Sequence, residues 1–173
     1  MNRLRKCLWG LLLSLTAAQP RPDARGYIVQ VGDPCPDVTL QLLDGNILRT
    51  KELRGQVVLL QFTASWCSVC RKEMPHLERE IWQPYRDKGL VMVGVDRDEP
   101  ADTVAAFARE MGITYPLALD PGAEIFSRFA ALESGVTRNV LIDRDGKIVC
   151  LTRLFDPDEF ARLVRKVDEL LQE

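Results

Sequence analysis

Two cysteines separated by two residues, Cys67 and Cys70, are the side chains in this sequence best suited to chemistry. They follow an apolar run that predicts a buried strand, and they open a segment that predicts a helix. The unpaired N–H groups and the positive dipole end of a helix start favour a thiolate on the first cysteine. A lowered thiol pKa makes Cys67 a nucleophile at neutral pH. One turn later, Cys70 should lie within reach of the Cys67 sulfur, but deeper.

This arrangement predicts thiol-disulfide exchange. Cys67 attacks a substrate disulfide, and Cys70 then attacks Cys67 and releases the reduced substrate. Two other interpretations use the same pair: a passive disulfide and half of a zinc site. Zinc requires further ligands, but there is neither a second C-x-x-C motif nor a histidine pair. Haem attachment requires a histidine directly after Cys70, where Arg71 stands, so we expect no cofactor and no metal.

The composition is that of a globular protein. The 173 residues are 46% hydrophobic and 28% charged, and the formal net charge is -2. This length suits one domain plus a targeting segment. The charge gives no basic surface for a nucleic-acid partner.

The N-terminus has the pattern of an export signal. Three basic residues precede the apolar run 7–15, and Thr16-Ala17-Ala18 follows. We therefore predict a signal peptide over residues 1–18, with cleavage near Ala18. The alternative is an uncleaved anchor, which would be the only membrane contact. After this N-terminal segment we predict a flexible leader over residues 19–31 and a folded domain over residues 32–173. The predicted location is the periplasm or cell envelope, where disulfides persist.

The remaining patterns predict one α/β domain. Strand-like and helix-like segments alternate in the order β-hairpin, β, α, β, α, short α, β, β, α. The segments are a hairpin over 37–49, a strand over 56–62, a helix over 68–83 that contains Pro75 and ends at Pro84, a strand over 90–95, a helix that stops at Gly112, a short helix from Asp120-Pro121, a hairpin formed by 139–142 and 147–151, and a last helix that begins at 156–159.

Several motifs together resemble the TlpA/ResA-like family of bacterial envelope oxidoreductases. They are Gly32-Asp33-x-x-Pro36-Asp37, Trp66-Cys67-x-x-Cys70-Arg71-Lys72-Glu73-Met74-Pro75, Gly94-Val95-Asp96 and Leu141-Ile142-Asp143-Arg144-Asp145-Gly146. The resemblance implies a thioredoxin-like fold, with a central mixed β-sheet flanked by helices and an N-terminal β-hairpin extension. It also implies a disulfide reductase that takes electrons from a membrane thiol donor. The partners it implies are disulfide-containing envelope proteins such as apocytochromes.

The same resemblance implies roles for individual residues. Cys67 is the nucleophile, Cys70 is the resolving cysteine and Glu73 tunes the thiol pKa. An alternative for Glu73 is simple stabilisation of the helix start. Gln61 occupies the position of a buried acid in thioredoxins, which favours Glu73 as the proton acceptor. Trp66 is expected to flank the active sulfur, within the substrate-binding surface.

The sequence departs from the family where thioredoxin-like proteins carry a cis-proline opposite the cysteines. Alignment on Leu141-Ile142-Asp143 places Thr137 there. A non-proline cis bond costs about 2.5–4 kcal/mol, so the Val136–Thr137 bond is either trans or actively held cis. The Thr137 hydroxyl is within the expected reach of the cysteine sulfurs. Val136 and Thr137 are therefore substrate-binding candidates beside Trp66.

Three alternative functions, and the pairing state of the two other cysteines of the domain, remain open. A peroxiredoxin-like peroxidase requires Pro and Thr before its cysteine, where this sequence has Leu60 and Ala64. A copper-binding envelope chaperone requires a longer cysteine spacing and a distal histidine. A redox-inactive binding module has no use for two cysteines at a helix start. Cys35 and Cys150 are predicted to pack in the core, with a structural disulfide as the alternative.

Overall fold

A mixed β-sheet forms the centre of the structure, a computed structural model that describes residues 21–172. Its seven strands in this range are β1 (Thr39–Leu42), β2 (Ile47–Arg49), β3 (Val57–Thr63), β4 (Leu90–Arg97), β5 (Leu117–Asp120), β6 (Arg138–Ile142) and β7 (Ile148–Arg153). Their spatial order is β2-β1-β5-β4-β3-β6-β7. The β3–β4 and β4–β5 pairs are parallel and the other pairs are antiparallel. The predicted thioredoxin-like sheet with an N-terminal hairpin is confirmed.

The described range contains four α-helices: α1 (Ser68–Leu77), α2 (Gln83–Tyr85), α3 (Ala101–Met111) and α4 (Pro157–Gln172). Helices α1, α3 and α4 bury apolar side chains in the core beside the sheet, whereas α2 has no buried residue. Every residue of β3 is buried, as its apolar run predicts. Helix α3 ends at Gly112, whose φ of 63° is left-handed, as expected for a helix stop. Within residues 21–172, no helix has both the length and the apolar character needed to cross a bilayer.

Strand β5 is absent from the sequence-based order of elements. It pairs with β4 on one side and with β1 on the other, so it joins the N-terminal hairpin to the sheet. Only four residues long, it directly follows Pro116. So short a segment has no measurable periodicity, and the preceding proline indicates a loop as readily as a strand.

The helix after the cysteines continues past its predicted end at Pro84. A π-helical turn, Glu78–Trp82, links α1 to α2, and the Gln83 N–H donates to the Glu78 carbonyl. Pro84 lies within α2, and the helix ends one residue later, at Tyr85. The predicted end at residue 83 therefore agrees with the structure to within two residues, the ordinary variation of helix boundaries.

The segment before the domain is packed where the sequence predicts a flexible leader. Tyr27 and Val29 are buried, and the Ala131 N–H donates to the Gly26 carbonyl at 2.9 Å. Both side chains belong to the hydrophobic core. In the sequence, the prolines and glycines on either side of this short apolar run favour a loop. Residues 21–31 thus lie against the domain. The predicted signal peptide, residues 1–18, lies outside the described residues.

Candidate active site

The cysteine pair lies at the junction between β3 and α1. Cys67 is the N-cap residue of α1, and its Sγ accepts a hydrogen bond of 3.1 Å from the Cys70 backbone N–H. The two residues form a disulfide, with their Cα atoms 5.3 Å apart. Cys67 is partly exposed, whereas Cys70 is fully buried. Of the two cysteines, the structure therefore leaves only Cys67 partly open to solvent and keeps Cys70 behind it.

Thr137 faces both sulfurs from the opposite side. Its Oγ1 lies 3.0 Å from the Cys67 Sγ and 3.0 Å from the Cys70 Sγ. The described residues contain no cis peptide bond, so the Val136–Thr137 bond is trans. Thr137 instead has a left-handed φ of 70°, a conformation that costs a β-branched residue about 1–3 kcal/mol. Thr137 therefore combines a trans peptide bond with a left-handed φ at the position where thioredoxin-like proteins carry a cis-proline.

Glu73 lies one turn after Cys70 on the buried face of α1 and is only 1% exposed. Its carboxylate accepts hydrogen bonds from the Asn139 Nδ2 at 2.7 Å and from the Gln61 Nε2 at 3.3 Å. The Tyr115 hydroxyl donates to the Gln61 Oε1 and so fixes this amide. Burial raises the pKa of Glu73 to about 7, although the two hydrogen bonds oppose the rise. Glu73 can therefore exchange a proton close to neutral pH.

A cluster of charged side chains holds the loop just before the cysteines. Glu99 accepts hydrogen bonds from the Ser65 N–H at 2.6 Å and from the Ser65 hydroxyl at 2.5 Å. Arg71 donates from Nε to the Ser65 carbonyl at 2.7 Å and pairs with Glu110. Sequence analysis missed these contacts. The sequence offers one signal for them: three acidic residues in Asp96-Arg97-Asp98-Glu99, which follows the predicted strand over 90–95.

Asp96 lies behind this cluster as a buried acid beside Glu99. Its side chain is fully buried, and neither carboxylate oxygen has a hydrogen-bond donor within the described part of the chain. Burial, followed by the neighbouring charge of Glu99 and a hydrogen bond with the Glu99 side chain, raises the pKa of Asp96 to about 8. The group is therefore mainly protonated at neutral pH, although the same residue ionises near pH 4 in an unfolded chain.

We expect an Asp96→Asn variant to lose less stability than the wild type as the pH rises from about 4 to about 8. The folded state retains the Asp96 proton that the unfolded chain releases, so the contribution to stability is complete below about pH 4 and is lost as the pH rises through about 8. Denaturant unfolding between pH 4 and 9 should show a shallower decline in the variant. Asp87→Asn is the matched control, because this side chain is 88% exposed. Equal slopes in the two variants would refute the assignment.

A groove beside the pair is bordered by Trp66, whose side chain is 64% exposed. The groove has a volume of about 360 Å³ and is lined by Trp66, Arg97, Asp98, Leu132, Glu133, Ser134 and Gly135. Arg97 donates to the carbonyls of Leu132 and Ser134 at 2.6 and 2.9 Å, which fixes the opposite wall. Val136 follows this wall but is buried, so its side chain is not available to a docking polypeptide.

The two remaining cysteines of the described chain are free thiols. Cys35 and Cys150 are each partly buried, and no disulfide joins them. Burial raises the pKa of Cys35 to about 11 and also raises that of Cys150. Both thiols therefore react slowly at neutral pH. The structure therefore favours core packing of Cys35 and Cys150 over a disulfide between them.

Comparison with known proteins identifies a matching family and related oxidoreductases. Residues 31–150 match the model of the AhpC/TSA family. A thiol-disulfide oxidoreductase ResA from Bacillus thuringiensis is 33% identical over 70% of this chain and 68% of its own length. Another, from Bacillus cereus, is 30% identical over 80% of this chain and 82% of its own length.

Solved structures agree with these relatives. A candidate protein disulfide isomerase from Bacteroides thetaiotaomicron is 56% identical, with a TM-score of 0.83 over 86% of this chain and 94% of its own. The thioredoxin domain of a thiol-disulfide oxidoreductase from Bacteroides vulgatus is 27% identical, with a TM-score of 0.67 over 80% of this chain and 97% of its own.

Proposed function

The chain belongs to the AhpC/TSA family and is a thioredoxin-fold thiol-disulfide oxidoreductase of the ResA-like group; on this premise we propose that it is a disulfide reductase of the bacterial cell envelope. Cys67 is the nucleophile in this proposal, and Cys70 is the resolving cysteine. The observation that supports these roles is the unequal exposure of the two sulfurs at the start of α1, where only Cys67 is open to solvent.

The proposed reaction proceeds in two exchanges. The Cys67 thiolate attacks one sulfur of a substrate disulfide, which forms a mixed disulfide and expels the other substrate sulfur as a thiolate. Cys70 then loses its proton to the Glu73 carboxylate and attacks the Cys67 sulfur. The Cys67–Cys70 bond forms, and the second substrate thiolate leaves. Two electrons have passed to the substrate, and a thiol donor must reduce the enzyme again.

The position of Glu73 supports the reducing direction. A carboxylate one turn from Cys70 disfavours a second negative charge nearby, so it raises the thiol pKa. Less stable thiolates make the dithiol a stronger electron donor. Equilibration with glutathione buffers measures this property directly. We expect the pair to be mostly oxidised in a buffer that keeps a strongly oxidising dithiol reduced.

The location and the partners belong to the same proposal. A predicted signal peptide, or an uncleaved anchor, would place the domain outside the cytoplasm, facing a membrane thiol donor. Apocytochromes with oxidised cysteines are the proposed substrates. The intact mass of the protein recovered from cell envelopes tests the export step. A mature chain that begins near residue 19 supports the signal peptide, and a full-length membrane-bound chain supports the anchor.

Turnover of a protein disulfide tests the activity itself. We expect the enzyme to accelerate the reduction of insulin by dithiothreitol, and a Cys35→Ser/Cys150→Ser variant to match it. A peroxide-consumption assay tests the peroxidase alternative. Leu60 and Ala64, which occupy the positions where that chemistry requires Pro and Thr, are both buried and apolar. Peroxide turnover without insulin reduction would overturn the proposal.

A further inference from the structure

We propose that the Thr137 hydroxyl is a catalytic hydrogen-bond donor that stabilises first the Cys67 thiolate and then the Cys70 thiolate during exchange. This inference rests on the proposed function and assigns a further catalytic group to the same reaction. Its basis is the position of Oγ1, which lies 3.0 Å from each sulfur.

The main chain holds this hydroxyl in place from both sides. The Thr137 N–H donates to the Phe62 carbonyl at 3.1 Å, and the Thr137 carbonyl accepts from the Leu154 N–H at 2.9 Å. The side chain is fully buried. Within residues 21–172, the two sulfurs are the only hydrogen-bond partners of Oγ1. The hydroxyl proton therefore has no competing acceptor there.

Backbone preference does not account for a threonine at this position. A left-handed φ favours glycine or asparagine and disfavours a β-branched side chain. The useful property of threonine here is its hydroxyl, which both donates and accepts. A thiolate gains more from a donor than a neutral thiol does, because hydrogen bonds to charged groups are the stronger ones.

The hydroxyl can serve the two sulfurs in turn because only one of them is charged at each step. In the disulfide form, the Cys67 Sγ already accepts from the Cys70 N–H and lies beside the Thr137 hydroxyl. The Cys67 thiolate of the reduced enzyme then receives both donors in this proposal. Once Cys67 enters the mixed disulfide, its sulfur is no longer an anion. The same O–H then donates to the Cys70 sulfur, which becomes a thiolate when Glu73 takes up the proton of the Cys70 thiol. No bond to Thr137 forms or breaks, and its proton stays on the oxygen.

Three variants separate the hydroxyl from the shape of the side chain. Thr137→Val keeps the branched shape and removes the hydroxyl, Thr137→Ala removes both, and Thr137→Ser keeps the hydroxyl alone. Each is made in a Cys35→Ser/Cys150→Ser background, so that alkylation reports only on the pair. The rate of iodoacetamide alkylation of the reduced protein against pH then gives the pKa of Cys67.

We expect the valine and alanine variants to raise the pKa of Cys67 by about 1, which lowers its thiolate fraction below that pKa about tenfold. The serine variant should titrate like the parent. An unchanged pKa in both hydroxyl-free variants would overturn the proposal, as would a serine variant that behaves like alanine. If circular dichroism shows that the valine variant does not fold, the pKa of Cys67 in the alanine variant decides the test. A parent protein that reduces no disulfide would instead contradict the proposed function, independently of this titration.

Discussion

A Cys70→Ser variant is expected to lose turnover and to accumulate a covalent, reductant-sensitive adduct on Cys67. The variant keeps Cys67, the partly exposed nucleophile of the proposed reaction, but lacks the buried Cys70 sulfur that would release the substrate in that proposal. The first exchange therefore proceeds and the second cannot. Non-reducing electrophoresis of envelope extracts, followed by mass spectrometry of the trapped species, identifies both the adduct and the substrate.

The other cysteines provide the controls for this experiment. Cys67→Ser should form no adduct, because the remaining sulfur is fully buried. Cys35→Ser and Cys150→Ser should keep full activity, since both thiols are partly buried and have raised pKa values. Adducts that map to Cys35 or Cys150, or no adduct on any cysteine, would contradict the assigned roles.

A Glu73→Gln variant should slow the resolving step and remove its dependence on pH near neutrality. The glutamine is close in shape to the protonated acid but cannot accept the Cys70 proton. Loss of a general base typically lowers a rate 10²–10⁴-fold, so we expect a fall of about 100-fold. In the wild type this step should accelerate as the pH rises through about 7, where Glu73 ionises. Stopped-flow release of a thiol from a preformed mixed disulfide measures it.

The same substitution should change stability in a defined pH window. The folded state holds the Glu73 proton up to about pH 7, whereas the unfolded chain releases it near the ordinary value of 4.5. Glu73 therefore makes wild-type stability fall as the pH rises through this window, by on the order of 3 kcal/mol. The variant should lose this part of the fall and keep the part that comes from Asp96. Glu169→Gln, on the exposed face of α4, is the matched control. A variant that keeps the wild-type slope would remove Glu73 from the site.

The sequence by itself determined the parts of this protein that depend on neighbouring residues. The apolar run of β3, the cysteines at the start of α1 and the glycine that ends α3 are each local patterns with a direct physical consequence. They were sufficient for the α/β class, for the redox pair and for the depth difference between its sulfurs. Where local patterns were weak, as in the four residues of β5, the prediction was incomplete.

The tertiary structure decided most of the surroundings of the pair. Alignment with the family had already predicted that the Thr137 hydroxyl reaches the sulfurs, and the antiparallel register of β3 and β6 brings it there from 70 residues away. The same register places Asn139 opposite Gln61, and both amides then reach the Glu73 carboxylate from the sheet. No spacing in the sequence encodes these contacts, because they depend on which strands pair and in what alignment. Burial, which sets the pKa of Glu73, is likewise a property of the packed chain and not of its order of residues.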